Sequence, residues 1–134
     1  MHNGLQIELD DEWWAEAGMD KFVLTSHSYR VAQTSGQVHE VLIKDVGPLC
    51  RNVGVGIFND SVEEGTARER VVRILRAFRL GEPLPPVEIV EAQRAEDPHR
   101  YKLVHGAHRF YCSLAAGFTH VPAVRGFDWH TLDQ

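Results

Sequence analysis

The segment from Thr66 to Gly81 constrains the fold most strongly, because it carries the signals of a complete amphipathic helix. Five apolar residues recur at helical spacing and form one stripe: Ala67, Val71, Ile74, Leu75 and Phe78. Thr66 and Glu69 have the spacing of a capping box, and Gly81 suits the C-cap. Prolines at 83, 85 and 86 prevent continuation. The sequence therefore predicts a helix over Ala67–Leu80 that buries one face.

The region after this helix alternates between strand and helix signals. Val87–Glu91 and Tyr101–His105 are predicted strands, and the polar stretch Gln93–Arg100 would join them as a hairpin. A helix is predicted over Ala107–Ala116, ending at Gly117. A short strand over Val121–Val124 follows, in which Pro122 suggests an edge strand or a strand start.

The region before the helix has weaker signals. Val38–Ile43 is a predicted strand with apolar residues on both faces, and Lys44–Pro48 is a predicted turn. A short helix over Glu12–Ala17 would use Trp13 and Trp14 as apolar anchors. The pattern predicts a single α+β domain over residues 1–134, with a small mixed sheet flanked by helices. Residues 1–37 would form an N-terminal extension of a core over residues 38–125.

Composition narrows the class of protein. The chain is 43% hydrophobic and 25% charged, which is typical of a globular domain. No apolar run is long enough to span a bilayer and no secretory signal is visible, so we expect no membrane association and a cytoplasmic location. Cys50 and Cys112 do not form a disulfide framework. We expect Cys112 to pack in the core.

The charges are unevenly distributed although the formal net charge is −5. The N-terminal stretch is acidic, and the predicted helix carries an arginine face opposite its apolar stripe: Arg68, Arg70, Arg73, Arg76 and Arg79. Such a face is usually solvated. The alternatives are contact with nucleic acid or with an acidic partner, including the acidic N-terminus of a second copy in a homodimer.

The junction between the strand Tyr101–His105 and the following helix is a favourable place for an anion. The first N–H groups of a helix have no intrahelical partner and lie at the positive end of its dipole. Gly106 allows a phosphate to approach the backbone, and His108 and Arg109 would add side-chain donors. This combination favours a di- or triphosphate over a neutral ligand.

The stretch from His105 to Phe118, followed by Val121-Pro122, resembles the Gly-x-His/Arg-Arg helix of the ParB/sulfiredoxin superfamily. Leu84–Ile89 is similar to that family's Pro-apolar strand, and Val41–Val46 is a looser match to its opening strand. The resemblance covers residues 38–125 and implies nucleotide binding, of CTP as in ParB or of ATP or ADP as in sulfiredoxin, with Mg²⁺ carried by the nucleotide.

By this resemblance, Gly106 and the Ala107 amide would hold phosphate, and His108 and Arg109 would neutralise it. Ala107 stands where sulfiredoxin has its catalytic cysteine, so the resemblance does not imply thiol chemistry. ParB has an acidic residue at the same position. The family's serine-kinase-like members have an acidic residue before the glycine, where this chain has His105.

Catalysis would require a base or a metal-coordinating acid. The candidates are Glu63, Glu64 and His105, with Asp60 and Asp45 as further acids. Arg51 is a further candidate for phosphate binding. His99, His105 and His108 lack the spacing of a zinc site, and we predict no protein-ligated metal.

Three hypotheses follow. The first is a nucleotide-binding protein, with a Mg-nucleotide-dependent phosphotransferase or nucleotidase as its catalytic form. The second is a DNA-associated module or nuclease. The third is a degenerate fold that acts as a regulatory protein-interaction domain.

Overall fold

The computed structural model describes residues 11–33, 37–47, 65–92, 96 and 98–125. Its helices are α1 (Asp11–Glu16), α2 (Ala67–Leu80) and α3 (Ala107–Ala116), and its strands are β1 (His39–Leu42), β2 (Val46–Gly47), β3 (Val87–Glu91), β4 (Tyr101–His105) and β5 (His120–Arg125). Short 3₁₀ turns follow α1, over Met19–Lys21, and β1, over Ile43–Asp45. The prediction of an α+β chain with a mixed sheet is confirmed.

Helix α2 begins and ends where its capping signals predict. Thr66 Oγ1 accepts from the Glu69 amide at 3.1 Å, and Glu69 Oε1 accepts from the Thr66 amide at 3.5 Å. Gly81 ends the helix with a φ of 71°, in the left-handed region that favours glycine. The buried face matches the predicted stripe from Val71 onward: Val71, Val72, Ile74, Leu75, Ala77 and Phe78.

The five strands form one mixed sheet in the order β1-β5-β3-β4-β2. β3 and β4 are antiparallel neighbours, as the predicted hairpin requires. β5 pairs in parallel with β3 and antiparallel with β1. α3 packs on β3 and β5, and α2 packs on α3. This arrangement places the start of α3 next to the start of β3.

Two strand predictions are wrong. Within the predicted turn at 44–48, Val46 and Gly47 form β2, which pairs in parallel with β4. Pro122 does not lie in an edge strand, because β5 has β1 on one side and β3 on the other. The proline is tolerated because its missing N–H falls where no ladder bond is required. The Ile43 amide donates to the Thr119 carbonyl, and Pro122 pairs with Glu40 three register positions further along, where an antiparallel ladder has a non-hydrogen-bonded pair. On the other side of β5, pairing with β3 begins one residue later, at Ala123.

The segment before β1 packs on the core. Ala17, Met19 and Tyr29 are buried in the same cluster as the strands and α2, and Trp13 and Trp14 are partly buried against it. The Tyr29 ring stacks on Phe78 with centroids 5.5 Å apart. The two tryptophans therefore serve as packing anchors for α1.

The arginine face of α2 meets the acidic N-terminal helix of its own chain. Arg68 forms an ion pair with Glu16, and Arg76 Nη2 donates to the Glu16 carbonyl at 3.3 Å. Arg79 Nε donates to the Ala17 carbonyl at 3.0 Å. Part of the face expected to be solvated or to meet another molecule is therefore occupied by α1.

Candidate functional site

The predicted phosphate turn lies at the junction of β4 and α3. Gly106 occupies the N-cap of α3 with a φ of 96°, and its carbonyl accepts the first intrahelical bond, from the Phe110 amide, at 2.9 Å. No side chain caps this end of the helix. The first amides of an α-helix have no intrahelical acceptor, so the amides of Ala107 and Arg109 supply donors at the positive end of the helix dipole.

Gly106 is required here by its surroundings as well as by its φ. A Cβ at this position would lie 2.9 Å from Val87 Cγ1 and 3.1 Å from Arg109 Nη2. Val87 is fully buried at the start of β3, so it has little room to move. The backbone thus approaches β3 and the Arg109 guanidinium more closely than any side chain would permit.

The Arg109 side chain folds back over this turn toward the chain that precedes β3. Its Nη2 donates to the Pro86 carbonyl at 3.2 Å. Its Nε is buried and has no hydrogen-bond partner in the described part of the chain. A buried guanidinium N–H without an acceptor is costly, so this group favours an acceptor beyond those that the described residues provide.

Tyr29 lies beside the Arg109 guanidinium. Its hydroxyl donates to the Pro85 carbonyl at 2.6 Å. Burial raises the pKa of Tyr29 above its usual range, and the positive charge and hydrogen bonding of Arg109 partly offset that rise. The hydroxyl is therefore neutral at physiological pH, and no phenolate neutralises Arg109.

The two histidines of the turn have different environments. The His108 side chain is buried, with the residue only 7% exposed, so its imidazole offers little surface to a ligand. His105 is open, with 68% of its side chain exposed, and its Nε2 lies 3.9 Å from Glu88 Oε2. The turn thus has one open imidazole, and a carboxylate stands next to it.

Of the remaining predicted catalytic and phosphate-binding residues, the structure describes Asp45 alone. Arg51, Asp60, Glu63 and Glu64 lie outside the described residues. Asp45 directly precedes β2, which pairs with the Tyr101 end of β4, at the opposite end of that strand from Gly106.

His99 lies at that same opposite end. Its Nδ1 is 3.3 Å from the point where a Cβ on Gly47 would lie. Among the residues that the structure describes, no three His, Cys, Asp or Glu side chains are grouped to hold a metal ion. None of the described helices combines the length and the apolar character needed to cross a membrane.

Sequence reasoning missed three groups at the turn: Tyr29, the Pro86 carbonyl and Glu88. The sequence did not predict the position of Glu88, because Glu88 lies opposite His105 only through a register shift between Glu88 and Ile89. The burial of His108 had a signal, since His108, Tyr111 and Cys112 share one face at helical spacing and all three are buried. No sequence signal indicated that Tyr29 lies beside Arg109, because this contact depends on how the N-terminal segment crosses the fold.

Cys112 is a free, fully buried cysteine, as predicted. Burial raises the pKa of its thiol well above the usual range. It is therefore a packing residue of α3 and takes no part in the chemistry of the turn.

No family model matches this chain, and comparison with curated proteins and with solved structures likewise finds no match.

Proposed function

We propose that this chain binds the phosphate groups of a nucleotide at the N-terminus of α3, with Arg109 as the main cation. The observation that carries the proposal is the buried Nε of Arg109, which lacks a hydrogen-bond partner among the described residues and lies at the uncapped N-terminus of α3. A phosphate at this end of α3 would accept from the helix amides, and the Arg109 side chain, by turning toward it, would give its Nε–H an acceptor. The resemblance to ParB/sulfiredoxin proteins supports the same location and favours ATP, ADP or CTP with Mg²⁺.

The roles within the site follow from the contacts. Gly106 allows the close approach, the amides of Ala107 and Arg109 donate to the phosphate, and the guanidinium of Arg109 supplies the charge. The His108 imidazole has no role in this proposal, because it is buried. The Glu88 carboxylate disfavours an anion beside His105, so the phosphate would lie on the Arg109 side of the turn.

The proposal concerns binding. A phosphotransferase or nucleotidase reaction would use His105 as the described base and acids such as Glu63 and Glu64. The DNA-associated alternative is less favoured, because Arg68 and Arg76 are engaged by Glu16 of the same chain.

The experiment is a thermal-denaturation panel with ATP, ADP, CTP and pyrophosphate, each with and without MgCl₂. A ligand at a hundred times its dissociation constant stabilises the folded state by about 2.7 kcal/mol, so binding raises Tm by several degrees. We expect Arg109→Gln to remove most of this shift. Arg125→Gln is the matched control, because Arg125 is an exposed arginine paired with Glu91 away from the turn.

Arg109→Lys separates charge from geometry, because lysine keeps the charge but lacks the planar set of donors. We expect an intermediate shift. The two Arg109 variants lose or weaken the bond to the Pro86 carbonyl, which lowers their Tm without ligand. Each shift is therefore measured from the Tm of the same variant without ligand. Absence of a shift with every nucleotide and with pyrophosphate would refute the proposal, as would an unchanged shift in Arg109→Gln.

A further inference from the structure

A second recess, away from the α3 turn, lies between the segment that follows α1 and the end of α2. It has a volume of about 280 Å³. Its floor is aromatic, with Phe118 contacting Phe22 and Phe78 at centroid distances of 6.0 and 5.1 Å. Tyr29 also lines it. A recess of this size and lining holds one bulky apolar group and is too small for a folded element.

The exposed apolar surface of the described chain is concentrated at this recess. Its three large exposed hydrophobic side chains are Val23, Leu24 and Leu80, exposed by 72%, 47% and 53%. Val23 and Leu80 line the recess, and Leu24 is the chain neighbour of Val23. A small ligand in the recess would leave most of this rim exposed. A longer ligand that lies across the rim would cover it, as is typical of surfaces that bind other proteins.

The charge of the rim is uniformly positive. Arg30 and Arg79 line the recess, and its described lining contains no Asp or Glu. Each arginine is held by a backbone carbonyl rather than a carboxylate: Arg30 Nη1 donates to Gly81 at 3.2 Å, and Arg79 Nε donates to Ala17 at 3.0 Å. Their charges are therefore oriented but not neutralised within this lining. The complementary ligand is an anion.

We propose that this recess binds an acidic peptide segment that inserts one aromatic or branched aliphatic side chain and pairs flanking carboxylates with Arg30 and Arg79. The aromatic floor and the exposed rim account for the apolar part of the segment. The two arginines account for its acidic part and fix its orientation. The two proposals rest on different observations, so neither depends on the other.

The test is a titration of the ¹⁵N-labelled full chain with the blocked peptide Ac-Asp-Leu-Phe-Asp-NH₂, followed by two-dimensional NMR. We expect saturable shifts of the amides of Val23, Leu80 and Gly81. Two matched peptides separate the electrostatic and apolar contributions to affinity. One has Asn in place of both Asp residues and lacks the charge, and the other has Ala in place of Leu and Phe and lacks the apolar side chains. We expect both to bind at least about fivefold more weakly.

Two variants locate the binding on the protein. We expect Leu80→Gln and Arg30→Gln each to weaken binding by about fivefold, and Arg125→Gln to leave it unchanged. Leu80 is exposed, so its replacement keeps the fold intact even if Arg30→Gln disturbs the bond to Gly81.

Several results would overturn the proposal. They are the absence of saturable shifts, equal affinity for the uncharged peptide, and undiminished binding by Leu80→Gln. Shifts at this recess with phosphatidylglycerol vesicles but not with the peptide would also overturn it, because they would identify a lipid surface as the ligand.

Discussion

Glu40 shows how local polar contacts stabilise one ionisation state of an exposed residue. Its Oε2 accepts from His27 Nε2 at 2.6 Å, and its Oε1 accepts from the Ser28 hydroxyl at 2.8 Å. The hydrogen bond from His27 and then that from Ser28 lower the pKa of Glu40 below its usual value, and burial opposes this weakly. The contacts attach the segment before β1 to β1 itself, and they are stronger when the carboxylate is ionised.

The lowered pKa of Glu40 predicts a pH-dependent contribution to stability. The stabilisation is fully present above the unfolded-state pKa, about 4.3, and is lost as the pH falls through the lower folded-state pKa. We expect Glu40→Gln to lower the free energy of unfolding by less than about 1 kcal/mol at pH 7, because the group is exposed. At pH 3 the difference between the two proteins should be smaller. Urea unfolding at the two pH values measures both differences.

A ¹³C titration of the Glu40 carboxyl group checks the cause directly, since it should report a pKa below that of an unperturbed glutamate. An equal difference in stability at pH 7 and pH 3 would contradict this account. The destabilisation would then come from packing and not from ionisation.

At the scale of elements, the capping box of α2 is the clearest case in which local sequence determines an end. Thr66 and Glu69 satisfy each other's backbone amides, so the helix begins at Ala67. We expect Thr66→Ala to lower the free energy of unfolding by about 1 kcal/mol, because the Glu69 amide loses its acceptor. Thr66→Ser keeps a hydroxyl acceptor and is the control. Chemical denaturation of the three proteins is the measurement, and equal midpoints for Thr66→Ala and the parent would rule out a stabilising cap.

Elements with local signals were predicted with nearly correct limits. The caps and apolar stripes of α2 and α3 depend on residues close together in the chain, and β3 and β4 pair as a hairpin. β2 could not be predicted, because its two residues become a strand only by pairing with β4, far along the chain. The internal position of β5 depends in the same way on partners at both of its sides.

At the scale of the whole molecule, the candidate site combines predictable and unpredictable parts. The strand–Gly106–helix junction and the donor role of Arg109 follow from adjacent residues. The environment of the Arg109 guanidinium does not, because Tyr29 and Pro86 reach it from separate segments. Tyr29 also lines the recess under Leu80, so one buried ring separates the two proposed binding sites.

Cys112 provides a probe of this whole structure, because it is fully buried in α3 and burial raises the pKa of its thiol. Only the thiolate reacts with a disulfide reagent, so native Cys112 reacts only when the structure opens. In a Cys50→Ser background, we expect labelling at least about a thousandfold slower than in the unfolded chain.

Urea below the unfolding midpoint should accelerate this labelling in proportion to the unfolded fraction, because global unfolding would then be the route that exposes the thiol. The doubly substituted chain, Cys50→Ser with Cys112→Ala, gives the blank. Rapid labelling that does not change with urea would instead reveal a local opening of α3. α3 begins at the proposed phosphate-binding turn, so pyrophosphate should slow labelling that proceeds through such an opening. This second measurement separates local opening at the site from fraying elsewhere.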